Sequence, residues 1–164
     1  AAIQLLLLTG ARLNEILSAQ WQWVDWDRRV INLPDSKTGA KPIYLSDAAL
    51  GVLRTLNDRH DRGSSDHIIK GRHHSKPLVN LTKPWRRLCA AADLSDVRLH
   101  DLRHTAASIG VGAGVTLPLV GKLLGHSQPQ TTQRYAHVDA DPALAAANQI
   151  GDAIARHLFH TAEE

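Results

Sequence analysis

Residues 21–45, WQWVDWDRRVINLPDSKTGAKPIYL, carry the strand signal of this chain. Short β-prone runs at Val24, Val30-Ile31-Asn32-Leu33 and Pro42-Ile43-Tyr44-Leu45 are separated by the turn-like stretches Asp25-Trp26-Asp27 and Asp35-Ser36-Lys37-Thr38-Gly39. The simplest arrangement is a small antiparallel meander. On its N-terminal side, Ile3 to Thr9 reads as a helix stopped by Gly10, and Arg12 to Ala19 spaces Leu13, Ile16 and Leu17 as a second helix. On its C-terminal side Ser46 caps a helix through about Asn57, and residues 58–76 read as an irregular surface segment. Helices are then expected over Lys83–Ala92, Asp101–Gly112, Thr116–Leu124, Pro129–Tyr135 and Pro142–Leu158, with Gly114 and Gly125 as C-caps and Thr116, Ser127 and Asp141 as N-caps. The fold class is mainly α with a small three-stranded antiparallel sheet (α+β).

The 164 residues are enough for one domain, which at this size buries roughly 70% of its unfolded surface. The longest apolar run, Ile3 to Leu8, is far short of the roughly 20 residues that cross a bilayer, and no basic segment precedes it as in a signal peptide. The single Cys89 excludes an intrachain disulfide and fits a cytoplasmic setting. A net charge of +3 gives a mild pull toward polyanions, and ten histidines raise the question of a metal.

Arg12 and Glu15 are three residues apart, as are His100 and Arg103, so each pair projects from one helix face. An imidazole beside a guanidinium suits a phosphodiester: the planar fork grips non-bridging oxygens, and the imidazole exchanges protons near neutral pH. His100 and His104 have the spacing of two zinc ligands, but Asp101 stands where the zinc motif needs glutamate and a third ligand is missing from the pattern. No metal or cofactor is expected.

Four boxes, Thr9-Gly10-Ala11-Arg12-Leu13-Asn14-Glu15-Ile16, His100-Asp101-Leu102-Arg103-His104-Thr105, Leu123-Leu124-Gly125-His126 and Tyr135-Ala136-His137, occur in the order and rough spacing of one family, with Ser36-Lys37-Thr38-Gly39 between the first two. The chain resembles the tyrosine recombinase (phage integrase) catalytic domain over nearly its whole length. The resemblance implies that Arg12 and Arg103 hold a scissile DNA phosphate, that Tyr135 is the nucleophile, that His100 and His126 complete the pocket, and that Lys37 acts from the β2–β3 turn, with Glu15 in support. It implies cleavage and rejoining through a 3′-phosphotyrosine intermediate. Asn14 departs from the serine frequent in that motif.

Residues 1–164 thus read as a catalytic domain, lacking the N-terminal core-binding domain that closes the family's clamp around DNA. The partners implied are double-stranded DNA at attachment or recombination sites and further copies of the protein, a tetramer on DNA and a monomer when free, in the prokaryotic cytoplasm at the nucleoid. The C-terminal helix, 142–160, places Leu144, Ala147, Ile154 and Leu158 at near-helical spacing. The resemblance implies that it docks on a neighbouring protomer; packing on its own domain is the alternative. A type IB topoisomerase-like enzyme, which would relax DNA without strand exchange, and an inactive DNA-binding module are the competing functions.

Overall fold

The computed structural model describes residues 1–34, 41–59, 65–71, 76–125 and 140–159. In chain order its elements are α1 (Ala2–Thr9), α2 (Leu13–Leu17), a 3-10 turn (Trp21–Trp23), β1 (Val24–Asp25), β2 (Val30–Leu33), β3 (Lys41–Tyr44), α3 (Asp47–Asp58), α4 (Thr82–Ala91), α5 (Asp101–Gly112), α6 (Leu117–Leu124) and α7 (Ala140–Phe159). The fold is mainly helical with one small sheet, as the residue pattern implies.

Helix α1 is apolar nearly all round, and such a helix is stable only inside a core. Leu5, Leu6 and Leu8 are buried, and α3, α5 and α7 pack around them. Each such leucine contributes about 1.5–3 kcal/mol relative to exposure. Gly10 ends the helix at φ 61, its N–H bonded to the Leu6 carbonyl at 3.0 Å. A Cβ there would lie 2.4 Å from Leu124 Cδ2, so glycine lets the end of α1 meet the end of α6. That meeting point is where the polar residues gather.

The sheet has the order β1-β2-β3, all antiparallel, with Ile31 opposite Ile43 and Leu33 opposite Lys41. Side chains alternate across a strand, so the inward face takes Ile31, Leu33, Ile43 and, with them, Lys41. The strand expected at Pro42–Leu45 therefore begins one residue earlier, and its first residue is a buried cation. Ser46 caps α3 by accepting from the Ala49 N–H at 3.3 Å. Two isolated bridges, Gln20 to His67 and Lys70 to Pro77, tie His67 and Lys70 of the segment read as irregular to residues outside it.

Helix α7 lies against α1, α3, α5 and α6 of its own domain. Its buried stripe is Ala143, Ala146, Ala147, Ile150, Ala153 and Ile154, rotated from the expected one, with Leu158 exposed. Small alanines allow the close approach that a leucine-lined face would prevent. The helix starts at Ala140, so Asp141 belongs to its first turn instead of preceding it, and Pro142 falls in the same turn, where its lack of an N–H costs no intrahelical bond. The expected helix at Pro129–Tyr135 and its cap Ser127 lie outside the described residues. No helix among the described residues is long and apolar enough to cross a membrane.

Candidate active site

Arg12 is the N-cap of α2, with extended backbone at φ −73 and ψ 151. Glu15, one turn on, reaches back to accept from the Arg12 backbone N–H at 2.8 Å and from Arg12 Nη1 at 2.9 Å. Arginine has no acceptor with which to return a capping bond, so its side chain is free to extend elsewhere. Its Nη2 reaches the Gly125 carbonyl at 3.3 Å, beyond the end of α6.

Arg103, third residue of α5, is only 5% exposed. Its Nη1 donates to the Gly10 carbonyl and its Nη2 to the Leu124 carbonyl, both at 2.7 Å. These oxygens terminate α1 and α6, where unpaired carbonyls and the helix dipole concentrate negative charge and attract cations. Two helix ends thus replace solvent for a buried guanidinium. Burial pushes the Arg103 pKa down from the usual arginine value, and Arg12 pushes the same way. The group stays charged regardless.

Lys41 is the member that the motifs did not disclose. It is 9% exposed, and its Nζ bonds Glu15 Oε1 at 3.2 Å, Glu15 Oε2 at 3.1 Å and the Leu124 carbonyl at 3.0 Å. Burial pushes its ammonium below the usual lysine value while Glu15 pulls it back up. For Glu15, burial raises the pKa, but the Arg12 backbone N–H, Lys41 and the Arg12 guanidinium together hold it below the ordinary carboxylate value. The signal that discloses Lys41 is the alternation of Lys41, Ile43 and Leu45, readable once the start of the strand is known. Gly125, at φ 69, makes room: a Cβ there would lie 2.3 Å from Lys41 Cε.

Among the candidates read from sequence, Arg12, Glu15 and Arg103 therefore come together at the C-terminal end of α6. His100 precedes α5, is exposed, and has its ring edge-to-face with His104 at 5.0 Å. The Arg103 backbone N–H donates to the His100 carbonyl at 3.1 Å, but among the described residues no hydrogen bond joins the His100 ring to Arg12, Glu15 or Arg103, so the three-residue spacing does not by itself bring imidazole and guanidinium into contact. No cluster of three or more metal-ligating side chains occurs among the described residues. Lys37, His126 and Tyr135 lie outside them; Lys37 precedes Lys41 by four residues, and His126 directly follows Gly125.

The phage integrase family profile matches residues 1–141. The chain is 30% identical to the integrase of Salmonella phage P22, covering 92% of this chain and 42% of that protein. It is 32% identical to the tyrosine recombinase XerA of Saccharolobus solfataricus, covering 85% and 45%. It thus spans less than half the length of these relatives. Among solved structures, the Tn1549 transposon integrase in complex with circular intermediate DNA superposes with a TM-score of 0.64 at 20% identity, over 88% of this chain and 55% of that one. The XerH recombinase bound to its difH substrate superposes at 0.63 with 22% identity, over 89% and 45%, and both likenesses concern the fold. With the profile covering most of its length, the chain belongs to the phage integrase family of tyrosine recombinases and has the architecture of their catalytic domain.

Proposed function

We propose that this chain is the catalytic part of a site-specific DNA recombinase, and that the cluster at the end of α6 is its phosphate grip. The observation that carries the reading is the convergence of Arg12 and Arg103 on the adjoining carbonyls of Gly10, Leu124 and Gly125. Among the described residues each guanidinium uses two of its five N–H donors on these partners and on Glu15. The others remain to bind non-bridging phosphate oxygens. Guanidiniums held in advance of the reaction stabilise the negative charge that develops on those oxygens without reorganising. The exposed Lys83, Arg86 and Arg87 on α4 add sequence-independent attraction for a DNA backbone.

In the reaction, the phenolic oxygen of Tyr135 attacks the scissile phosphorus, the bond from phosphorus to the 5′ oxygen breaks, and a 3′-phosphotyrosine forms. Ionising a phenol of pKa ~10 at pH 7 costs about 4 kcal/mol, which the field of Arg12, Arg103 and His126 offsets. The leaving 5′ oxygen takes a proton from Lys37, His100 completes the pocket, and attack by a new 5′ hydroxyl on the phosphotyrosine reverses the step. The diester energy is retained, so rejoining needs no ATP; the arginines neutralise the negative charge that a metal would otherwise offset. The substrate is double-stranded DNA at a recombination site on a prokaryotic nucleoid, and four copies act together there. Because α7 commits its buried stripe to its own domain, a neighbouring protomer would be engaged through the outer face of α7 or through residues after 159.

Full-length protein is incubated with nicked duplexes tiled across the DNA flanking its gene, so that cleavage at a nick traps the adduct, and the products are run on a denaturing gel. Wild type yields a covalent band, and Tyr135→Phe yields none while binding DNA equally well. A persistent band in the mutant removes Tyr135 as the nucleophile. Relaxation of supercoiled DNA without strand exchange would support the topoisomerase function instead.

A further inference from the structure

Glu15 stands against both arginines: it bonds Arg12 directly and acts electrostatically on Arg103. A carboxylate so placed competes for the same donors that a phosphate requires, since both anions fit a guanidinium fork. Lys41 approaches the carboxylate across both of its oxygens, at 3.2 and 3.1 Å. An ammonium has three N–H donors. Two go to Glu15 and the third to the Leu124 carbonyl, which also receives Arg103 Nη2. Lys41 therefore has no donor left for a substrate, and it ties Glu15 to one of the two carbonyls that hold Arg103.

We propose that Lys41 is a positioning residue: it neutralises Glu15 and anchors it to the end of α6, leaving the outward donors of Arg12 and Arg103 for the phosphate. The inference rests on the recombinase reading above. Its place on β3 also explains why a strand of the apolar face begins with a buried lysine. An isoleucine or leucine would fill the volume but leave Glu15 to pair more fully with the arginines.

The test is single-turnover adduct formation by the full-length protein on the same nicked duplexes at saturating concentration, alongside the DNA Kd and the folded fraction from thermal melts. Lys41→Met is expected to slow adduct formation by about 10- to 100-fold, the usual effect of losing a group that orients a reacting one. The Kd should move by only about twofold, because many other phosphates are contacted. Adding Glu15→Gln to Lys41→Met removes the competing charge and should recover much of the lost rate. A lysine with only a packing role gives no such recovery. Should Lys41→Met alone fail to fold, the double variant is compared with Glu15→Gln, and the two should agree within about twofold because a neutral residue 15 no longer needs the lysine. Wild-type rate in Lys41→Met, a double variant no faster than the single one, or a double variant far slower than Glu15→Gln overturns the inference. If the wild type forms no adduct on any duplex, the recombinase reading itself falls, and this role of Lys41 falls with it.

Discussion

Arg12–Glu15 and Arg98–Asp101 are the same local construction in two settings. In both, an arginine ahead of a helix pairs with a carboxylate three residues on, at 2.9 and 3.0 Å, and the carboxylate also accepts from the arginine's backbone N–H, at 2.8 and 2.7 Å. The first pair meets Lys41 and the end of α6; the second stands in solvent, with the Arg98 side chain 78% exposed. The identical spacing says that the pairs form, and nothing about what they are worth. That depends on third parties brought by the fold: a buried ammonium and two helix ends in one case, water in the other.

The comparison breaks most readily at the arginines. Arg103→Lys keeps the charge but not the fork that spans the Gly10 and Leu124 carbonyls, and adduct formation at saturating DNA should fall by about 100- to 1000-fold. Arg98→Ala should leave it unchanged. Near-normal cleavage by Arg103→Lys, or a comparable loss in Arg98→Ala, would erase the distinction between the two settings.

Stability offers a second, smaller contrast. Glu15→Ala strands Lys41 beside Arg12 and Arg103 without their shared anion, and urea titration should show a loss of about 3 kcal/mol. Arg98→Ala should shift the curve only slightly, since its pair is exposed and screened. Chelation sharpens the contrast from the chemical side: if arginines supply the positive charge, adduct formation survives EDTA, and loss of activity restored by zinc would favour a metal hydrolase.

Much of this was legible in the residues alone. Gly10 and Gly125 as helix stops, Ser46 as a cap and the strands around residues 24–45 follow from turn and capping chemistry that is local to a few positions. The arginines and Glu15 were legible as motifs. Lys41 was not, because its inward orientation depends on where β3 begins, and the residue pattern starts that strand at Pro42, one residue past it. Nor was the contrast between His100, exposed, and Arg103, buried, since spacing along a helix gives a shared face only to within a broad arc. The rotated stripe of α7 was missed for a related reason: leucines dominate a hydrophobicity count, while close helix packing selected the alanines.

The smallest expected difference is in acid. Hydrogen bonds and charge from its arginine lower the Asp101 pKa, and Glu15 is held low against the opposing effect of burial. A carboxyl with a depressed folded pKa contributes stability that is complete above its unfolded value of about 4 and lost as pH falls through the folded value. Wild-type stability should therefore decline below about pH 4. High salt should remove the Asp101 share and leave that of Glu15, which is shielded from solvent. Glu15→Gln should flatten the salt-resistant part of the decline, as followed by melts across the acid range. An unchanged acid limb in that variant would mean that Glu15 titrates as an ordinary surface group.

The most direct test of the phosphate grip removes the charge from the substrate instead of from the protein. Replacing a non-bridging oxygen of the scissile phosphate by methyl gives a neutral methylphosphonate, which has far less need of guanidinium neutralisation. Arg12→Ala, compared with wild type in single-turnover cleavage of the two substrates, should be severely slowed on the phosphodiester and largely recovered on the methylphosphonate. Equal slowing on both would show that Arg12 maintains the fold and does not neutralise the scissile phosphate.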